Sequence, residues 1–257
     1  MLNKVAIRTL QSYFPWLKPA KDEFYFRYRL IMRSPSQHHF KFLKVFGHHL
    51  SGTYVDIGGN IGQSVQAIRM FVPEAKIISF EPNPNLAKFI GNHFRKDKIV
   101  IVRNLGLGSE SGHFKLYIPT YRGFIYDALA SLDKNRAEGW LNDKTLYCFN
   151  RENLAIIEMN CEISTLDKQH IDDVVFIKID VEGFEDEVIK GGIETIRRDQ
   201  PVMMIEDFHN STYMKNILYQ MSYRPFDFDG KILRRGESET STFLITPRRM
   251  AELSIDG

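Results

Sequence analysis

Residues 52–64 read GTYVDIGGNIGQS, an apolar run that reaches an aspartate and then a turn with three glycines. An apolar run of this length fits a buried strand, and glycine permits a tight connection into a following helix. The backbone N–H groups at the start of such a helix are unpaired, so they can bind a ligand that approaches the glycines closely. The stretch therefore predicts a ligand site at the exit of a strand in an α/β sheet.

The same alternation of strands and helices continues along the chain. After the glycine turn come a helix over 62–71, the strand KIISF, the turn EPNP, a helix over 85–95 and the strand KIVIVR. It resumes with VVFIKID, GFEDEVIKGG and PVMMIE, whereas FDFDGKILRR and TFLITP resemble a hairpin and a last strand. Continuous apolar strands between amphipathic helices are typical of a parallel sheet covered on both faces. We expect a doubly wound, mostly parallel α/β sheet with antiparallel C-terminal strands.

Two segments do not follow this alternation. Residues 1–50 are aromatic and basic and are expected to form a helical cap or lid over a domain at 51–257. Within that domain, an insert at about 104–170 is expected to lie on the acceptor side, with a hairpin around 109–112. The histidine pairs at 38–39 and 48–49 are expected to be solvated helix positions rather than ligands.

Composition limits the classes of function. The 257 residues are 43% hydrophobic and 26% charged with a net charge of +2, so they give no general attraction to nucleic acid. Two cysteines without metal-ligand spacing favour a reducing cytoplasm. No run approaches the roughly twenty apolar residues that span a bilayer. The first twenty residues are expected to be a packed cap, with peripheral membrane contact as the alternative, and oligomeric state is not predicted.

The residues of the glycine turn select the kind of ligand. A dinucleotide fingerprint starting at Gly58 would need glycines where the chain has Asn60 and Gln63, and no phosphate-binding loop follows. Asp56 ends the strand with a carboxylate that would repel a diphosphate and attract a cation. S-adenosylmethionine carries an ammonium and a sulfonium group. It is therefore the predicted cofactor, bound at Asp56, Gly58, Asn60 and Gly62.

Two further strand ends extend this prediction. Glu81 ends the next strand about twenty residues on, where nucleotide-binding sheets place an acid that accepts ribose hydroxyls. Asn104 ends the third strand, where the edge of an adenine would lie. Each residue alone would more often have a structural role, but their occurrence at consecutive strand ends favours a cofactor site.

A second group of polar residues follows the strand VVFIKI. Lys178, Asp180 and Glu182 alternate and so share one face if the strand continues. A lysine in an apolar strand needs a partner, and Asp180 or Glu206 could neutralise it in a purely structural ion pair. Asp180 also falls at the carboxyl end of a parallel strand, beside the expected ligand.

These motifs together resemble a known family. DIGGNIG, FEPNP, Asn92, the STLD of 164–167, KIDVEGFEDEVIKGG and the P-x-x-x-x-E of 201–206 look like the FkbM family of S-adenosylmethionine-dependent methyltransferases. The resemblance covers about residues 52–206 and implies a class I, Rossmann-like methyltransferase domain. It further implies O-methylation of a hydroxyl on a sugar or on a secondary metabolite.

A hydroxyl needs a positioned base or a metal to react at neutral pH. We expect Asp180 to be that base, or a ligand to a divalent metal, with Glu182 and Glu206 orienting the acceptor or Lys178. His209 is the alternative base. A non-catalytic protein that binds the cofactor remains a further alternative.

The insert suggests the acceptor. Tyr121, Tyr126 and Trp140 could stack on sugar rings, and Arg122 with its basic neighbours could hold the phosphates of a nucleotide-linked or lipid-linked sugar. We therefore expect a carbohydrate acceptor, with cell-surface polysaccharide synthesis as the expected setting. The alternative is that the same aromatic residues pack the insert onto the sheet.

Overall fold

The computed structural model describes residues 4–255. The chain begins with three helices, and the regular alternation of strands and helices then starts at residue 53. The elements of this first half are α1 (Lys4–Tyr13), α2 (Lys18–Met32), α3 (Lys41–Phe46), β1 (Thr53–Ile57), α4 (Gln63–Phe71), β2 (Lys76–Phe80), α5 (Pro84–Phe94) and β3 (Val100–Arg103).

The insert and the C-terminal half follow. The insert contains β4 (Gly106–Leu107), β5 (Gly112–Tyr121), β6 (Phe124–Ile125), α6 (Lys134–Gly139) and β7 (Leu154–Ser164). The remaining elements are β8 (Val174–Ile179), α7 (Glu185–Lys190), α8 (Ile193–Asp199), β9 (Val202–Glu206), α9 (Thr212–Gln220), β10 (Arg224–Phe228), β11 (Leu233–Arg235), β12 (Ser241–Ile245) and α10 (Pro247–Glu252).

The main sheet has eight strands in the order β11-β10-β12-β9-β8-β1-β2-β3. The strands β9, β8, β1, β2 and β3 are parallel, whereas β12 and β10 join antiparallel, as do β10 and β11. Successive side chains of β1 alternate between the faces, so Tyr54 and Val55 belong to different core clusters. The doubly wound, mostly parallel sheet with antiparallel C-terminal strands is confirmed.

The insert forms a second sheet of four strands in the order β4-β7-β5-β6. The hairpin expected around 109–112 is wrong, because β4 and β5 both pair with β7 and not with each other. Ten residue pairs join β5 to β7, and they bury Leu116 and Ile118 against Cys161 and Ile163. A distant partner strand thus outweighs the local turn signal around Gly112.

The N-terminal helices divide into two parts. Phe40, Phe42 and Leu43 are fully buried in the core of the main sheet, so the chain around α3 is an integral part of the domain. In contrast, α1, α2 and the turn between them leave large apolar side chains exposed, with Trp16 of the turn 72% and Ile31 of α2 80% accessible to solvent. Among residues 4–255, no helix has the length and apolar character needed to cross a membrane.

One histidine differs from the expectation of a solvated position. His39 is buried beside Phe243, and its Nε2 atom lies 3.2 Å from the hydroxyl oxygen of Thr240. Burial, with a smaller contribution from His38, lowers the pKa of His39 to about 4, so this side chain is neutral and structural.

Candidate active site

A cleft of about 270 Å³ lies at the carboxyl ends of the central parallel strands. Parallel α/β sheets bind ligands at this edge, where the strand order reverses direction. Five carboxyl groups line the cleft, those of Glu81, Asp127, Asp180, Glu182 and Glu206. No lysine, arginine or histidine of the described chain lines it. The wall is therefore suited to a cationic ligand and unsuited to a diphosphate.

The glycine turn forms one rim of the cleft. Gly58 has a φ of +83°, and a Cβ atom there would meet the carbonyl oxygen of Asp180 at 1.9 Å, so the position requires glycine. Asn60 lines the cleft with a φ of 48°. Gly62 precedes α4 with a φ of +80° and packs beside Ile90, outside the cleft. Two of the three predicted turn residues thus border the cleft directly.

The two carboxyl oxygens of Glu81, at the end of β2, are each held by a backbone N–H group. Its Oε2 accepts a hydrogen bond of 2.6 Å from the Asn60 N–H, and its Oε1 accepts one of 2.9 Å from the Asn83 N–H. Burial raises the pKa of Glu81 to about 7 despite these hydrogen bonds. Asn104 does not line the cleft. Its Nδ2 donates to the carbonyl oxygens of Glu81 at 2.9 Å and Pro82 at 3.0 Å, so it supports the turn.

Asp56 and Lys178 lie beneath the cleft rather than in its wall. The Asp56 side chain is fully buried, and its Oδ2 accepts a hydrogen bond of 2.7 Å from the Ser79 hydroxyl. The Lys178 ammonium lies 3.5 Å from Asp56 Oδ1 and 3.3 Å from Asp180 Oδ2, and donates to the Gly58 carbonyl oxygen at 2.8 Å. A direct contact between Asp56 and a cofactor stays a prediction.

The Lys178 ammonium therefore acts as a structural link. Burial opposes its charged form, but the carboxylates of Asp180 and Asp56 outweigh burial and raise the pKa of Lys178. A buried ammonium needs this compensation, since an isolated charge in the interior is costly. The ion pair that the sequence offered as a structural alternative is thus present, and it joins the glycine turn on β1 to Asp180 after β8.

Asp180 and Glu206 form a hydrogen-bonded carboxyl pair in the cleft. Burial opposes ionisation of Asp180, but Lys178 and the hydrogen bond from Glu206 lower its pKa. Burial and the neighbouring Asp180 raise the pKa of Glu206. Two adjacent carboxyl groups avoid carrying two negative charges, so the pair retains one proton and Glu206 donates it to Asp180.

Glu182 lines the cleft from the turn that follows Asp180. Its φ of 52° is unusual for a residue with a side chain. Burial and the charge of Asp180 raise the pKa of Glu182 to about 7, and Arg136 lies 4.0 Å away. Glu185, which sequence reasoning did not single out, holds the turn by accepting hydrogen bonds from the N–H groups of Val181 and Gly183.

Several predicted residues lie outside the cleft. His209 does not line it, and its Nδ1 atom is buried without a hydrogen-bond partner in the described chain. Tyr121 packs in the core of the insert, where its hydroxyl accepts from the Asn150 N–H, and Arg122 stacks on Tyr13 at 4.1 Å. Trp140 lies against Arg136. Tyr121, Arg122 and Trp140 thus make packing contacts, the alternative that the sequence left open for the insert.

Other residues of the cleft carried no recognisable sequence signal. The insert contributes Asp127 and Ser131, the chain after β8 contributes Phe184, and the N-terminal segment contributes Gln37. Asp127 lies 3.5 Å from the Asn83 amide, which links the insert to the EPNP turn. Their loops are far apart in sequence, so spacing could not bring them together.

The residues 4–255 hold no group of three or more histidine, cysteine, aspartate or glutamate side chains with the geometry of a metal site. A role of Asp180 as a metal ligand stays a prediction.

The arrangement of the cleft agrees with a sequence comparison. The profile of the methyltransferase FkbM domain matches residues 56–234, from the last part of β1 to the edge strand of the main sheet. The chain belongs to the FkbM family. Membership assigns it to the S-adenosylmethionine-dependent methyltransferases, and residues of the DIGGNIG, FEPNP and KIDVEGF stretches line the cleft together with Glu206.

Three solved structures are similar to this chain at low sequence identity. The FkbM methyltransferase of Methylobacillus flagellatus KT is 16% identical with a TM-score of 0.48, and the match covers 76% of this chain but only 43% of that protein. A precorrin-6y C5,15-methyltransferase of Geobacter metallireducens is 14% identical over 79% of this chain and 84% of that one, with a TM-score of 0.37. An O-methyltransferase of Thermotoga maritima is 11% identical, and the match covers 84% of this chain and 66% of that one, with a TM-score of 0.35. No curated protein matches the chain significantly.

Proposed function

We propose that this FkbM-family protein methylates a hydroxyl group of a sugar or a similar polyhydroxylated acceptor. The observation that carries the proposal is that the carboxyl groups of Asp180 and Glu206 both line the cleft, with Lys178 3.3 Å from Asp180, so that the pKa of Asp180 is lowered and that of Glu206 is raised. The ionised member can accept a hydroxyl proton, because Lys178 keeps its charge stable at neutral pH.

The residues of the cleft fit S-adenosylmethionine. The absence of basic side chains from the described wall suits its two cationic groups, and the carboxyl group of Glu81 is held by two backbone N–H groups at the end of β2. We place the ribose hydroxyls at Glu81 and the amino acid part near Gly58 and Asn60. The bound cofactor supplies an electrophilic methyl group on a sulfonium.

Asp180 is the group that we assign to the proton of the acceptor hydroxyl. Glu206 is hydrogen-bonded to it and stabilises its charge in the resting cleft. Glu182, whose pKa is about 7, is placed on the same wall to orient the acceptor. His209 lies outside the cleft, so it is not part of this proposal.

A polyhydroxylated acceptor fits the mixed character of the wall. Asn83 and Ser131 offer polar groups for hydroxyls, and the ring of Phe184 offers an apolar surface for one face of a sugar. The carboxyl-rich wall does not favour nucleic acid phosphates. Both cysteines are unpaired, which supports a reducing compartment such as the cytoplasm.

The cofactor part of the proposal is tested by thermal unfolding with S-adenosylhomocysteine and, separately, with NAD. We expect stabilisation by the thioether alone, and about tenfold weaker binding in Glu81→Gln because one charged acceptor is lost. Glu74→Gln, an exposed glutamate before β2, is the matched control. Stabilisation by NAD and not by the thioether would contradict the assignment.

The acceptor part is tested by a screen of free, nucleotide-linked and lipid-linked sugars with labelled cofactor, with and without a divalent chelator. Transfer to a hydroxyl oxygen supports the proposal, and an effect of the chelator would revive metal activation at Asp180. Binding of the thioether without transfer to any hydroxyl would favour a non-catalytic cofactor-binding protein.

A further inference from the structure

A second cavity of about 350 Å³ lies between the N-terminal helices and the insert, next to the cleft. We call it the cationic groove. Its basic lining residues come from α1 and α2, namely Arg8, Lys18, Lys21 and Arg29. The groove and the cleft share Gln37, Asn60, Gln63 and Asp127, so the two cavities meet along a common wall.

Charge in the cationic groove is only partly compensated. Lys18 is paired, with its ammonium 2.6 Å from Asp127 and 2.8 Å from Asp22. Lys21 lies 3.8 Å from Asp22, whose carboxylate is already used by Lys18. Neither Arg8 nor Arg29 has a carboxylate within ion-pair distance in the chain from 4 to 255. Three positive groups thus face a cavity without a full set of partners.

Unpartnered polar atoms mark the junction of the two cavities. Arg29 Nη1, Gln37 Oε1 and Gln63 Oε1 are all buried without a hydrogen-bond partner among the described residues. Such atoms are rare in folded proteins, since a buried polar group without a partner is energetically costly. A guanidinium can donate to an anion, and the glutamine oxygens can accept from hydroxyl groups. The junction therefore suits a ligand that carries both.

We propose that the cationic groove binds a phosphate group of the acceptor, while the attached hydroxyl-bearing part passes Gln37 and Gln63 into the cleft. The inference rests on the proposed function, because it assumes an acceptor in the cleft. A planar fork such as the Arg29 guanidinium matches a phosphate, and Lys21 adds a point charge. The basic side chains predicted to hold this phosphate, Arg122 among them, lie outside the groove.

The phosphate could belong to a soluble nucleotide-linked sugar or to a lipid-linked one. Exposed apolar side chains follow α1 close to Lys18 in sequence, namely Phe14, Trp16 and Leu17. They would suit contact with a lipid surface, whereas a soluble ester would need only the groove. Both sources share the same phosphate chemistry, so the probes must separate them.

The test measures binding of three probes to the full chain saturated with S-adenosylhomocysteine. These are inorganic pyrophosphate, uridine diphosphate, and phosphatidylcholine vesicles with or without an isoprenyl phosphate. We expect binding of a phosphate probe that weakens at least about tenfold in a Lys21→Gln, Arg29→Gln double variant, since charge-assisted hydrogen bonds are lost. Arg27→Gln is the matched control, because Arg27 lies on the same helix with its side chain 73% exposed and paired to Glu23.

The outcomes separate this inference from the proposed function. Binding of soluble probes supports a nucleotide-linked source, and binding only to vesicles with the isoprenyl phosphate supports a lipid-linked one. Failure of all three probes, equal binding to the double variant, or competition with S-adenosylhomocysteine would overturn the inference. If the double variant is unstable, Lys21→Gln alone is compared with Arg27→Gln. Binding of the thioether by itself is measured first, and only its failure counts against the methyltransferase proposal.

Discussion

The cleft and the cationic groove share a wall but carry opposite charge. Five carboxyl groups and no basic side chain of the described chain line the cleft, whereas four basic and two acidic side chains line the groove. The two cavities are therefore suited to ligands of opposite sign. In our proposal, charge directs the cationic cofactor to the cleft and the anionic end of the acceptor to the groove, and the acceptor hydroxyl meets the methyl group in the cleft.

The two regions also differ in how they are built. The cleft consists mainly of strand ends and tight turns, held by backbone hydrogen bonds and by the buried Lys178. The groove is lined on one side by long side chains of α1 and α2, helices that leave much apolar surface exposed, and on the other by residues 124–129 of the insert. We expect substitutions in the cleft to change the free energy of unfolding and the rate of turnover. Substitutions in the groove should change only the affinity for the acceptor.

Loss of the buried ammonium should have the largest effect on the cleft. We expect Lys178→Met to lower the free energy of unfolding by about 3–5 kcal/mol, because it removes the cation that compensates the buried Asp56 and the partly buried Asp180. Urea unfolding measures this change. Lys115→Met is the control, since its exposed ion pair with Glu158 should contribute less than about 1 kcal/mol. A small effect of Lys178→Met would mean that the network is not needed for the cleft.

Substitution of the proposed base should have the next largest effect. We expect Asp180→Asn to reduce turnover about 100-fold or more, because asparagine cannot accept the hydroxyl proton. The affinity for S-adenosylhomocysteine should change little, and titration of the thioether checks this. Asp172→Asn, at an exposed loop before β8, is the control for the amide substitution. Unchanged turnover in Asp180→Asn would remove this residue from the mechanism.

The pKa of Glu182 predicts a smaller, pH-dependent effect. Burial raises this pKa from 4.5 to about 7 in the folded protein. The folded state therefore holds a proton that the unfolded state has lost, and this stabilisation is full below about 4.5 and disappears as pH rises to about 7. We expect the stability of the wild type relative to Glu182→Gln to fall by about 1 kcal/mol over that window, since partial exposure weakens the effect. Unfolding in urea at several pH values measures it, and a constant difference would contradict the raised pKa.

Arg122→Gln should have the smallest effect. The side chain stacks on Tyr13 and lies outside both the cleft and the cationic groove. We expect a change in the free energy of unfolding within about 0.5 kcal/mol and an acceptor KM that stays within about twofold. A large increase in KM would show that the insert, as the sequence suggested, takes part in acceptor binding.

The sequence predicted the parts of the site that depend on local rules. The turn at Gly58 requires a conformation that glycine adopts easily, and the apolar runs before Glu81 and Asp180 place these acids at the same edge of the sheet. The carboxyl ends of parallel strands lie at the same edge of the sheet, independently of how the rest of the chain folds. The eight-stranded architecture and its antiparallel end followed from the same periodicity.

In the insert, such local rules failed to predict the structure. Its turn at 109–112 suggested a hairpin, but the strand that pairs with β5 starts at Leu154. The side chains of Tyr121 and Tyr126 suggested a sugar site, but burial of a large ring in a local core uses the same residue types. Composition cannot distinguish a ring that binds a ligand from one that packs a loop, because both require apolar surface.

By itself, the sequence determined the sheet, the glycine turn and the family, because strand periodicity and glycine conformation are properties of neighbouring residues. Only the tertiary structure decided that Asp56 and Lys178 are buried beneath the cleft, that Glu206 lies beside Asp180 and has a raised pKa, and that helices of the N-terminal segment bring basic side chains to its edge. These contacts join residues far apart in the chain. They depend on packing and desolvation, which no local pattern encodes.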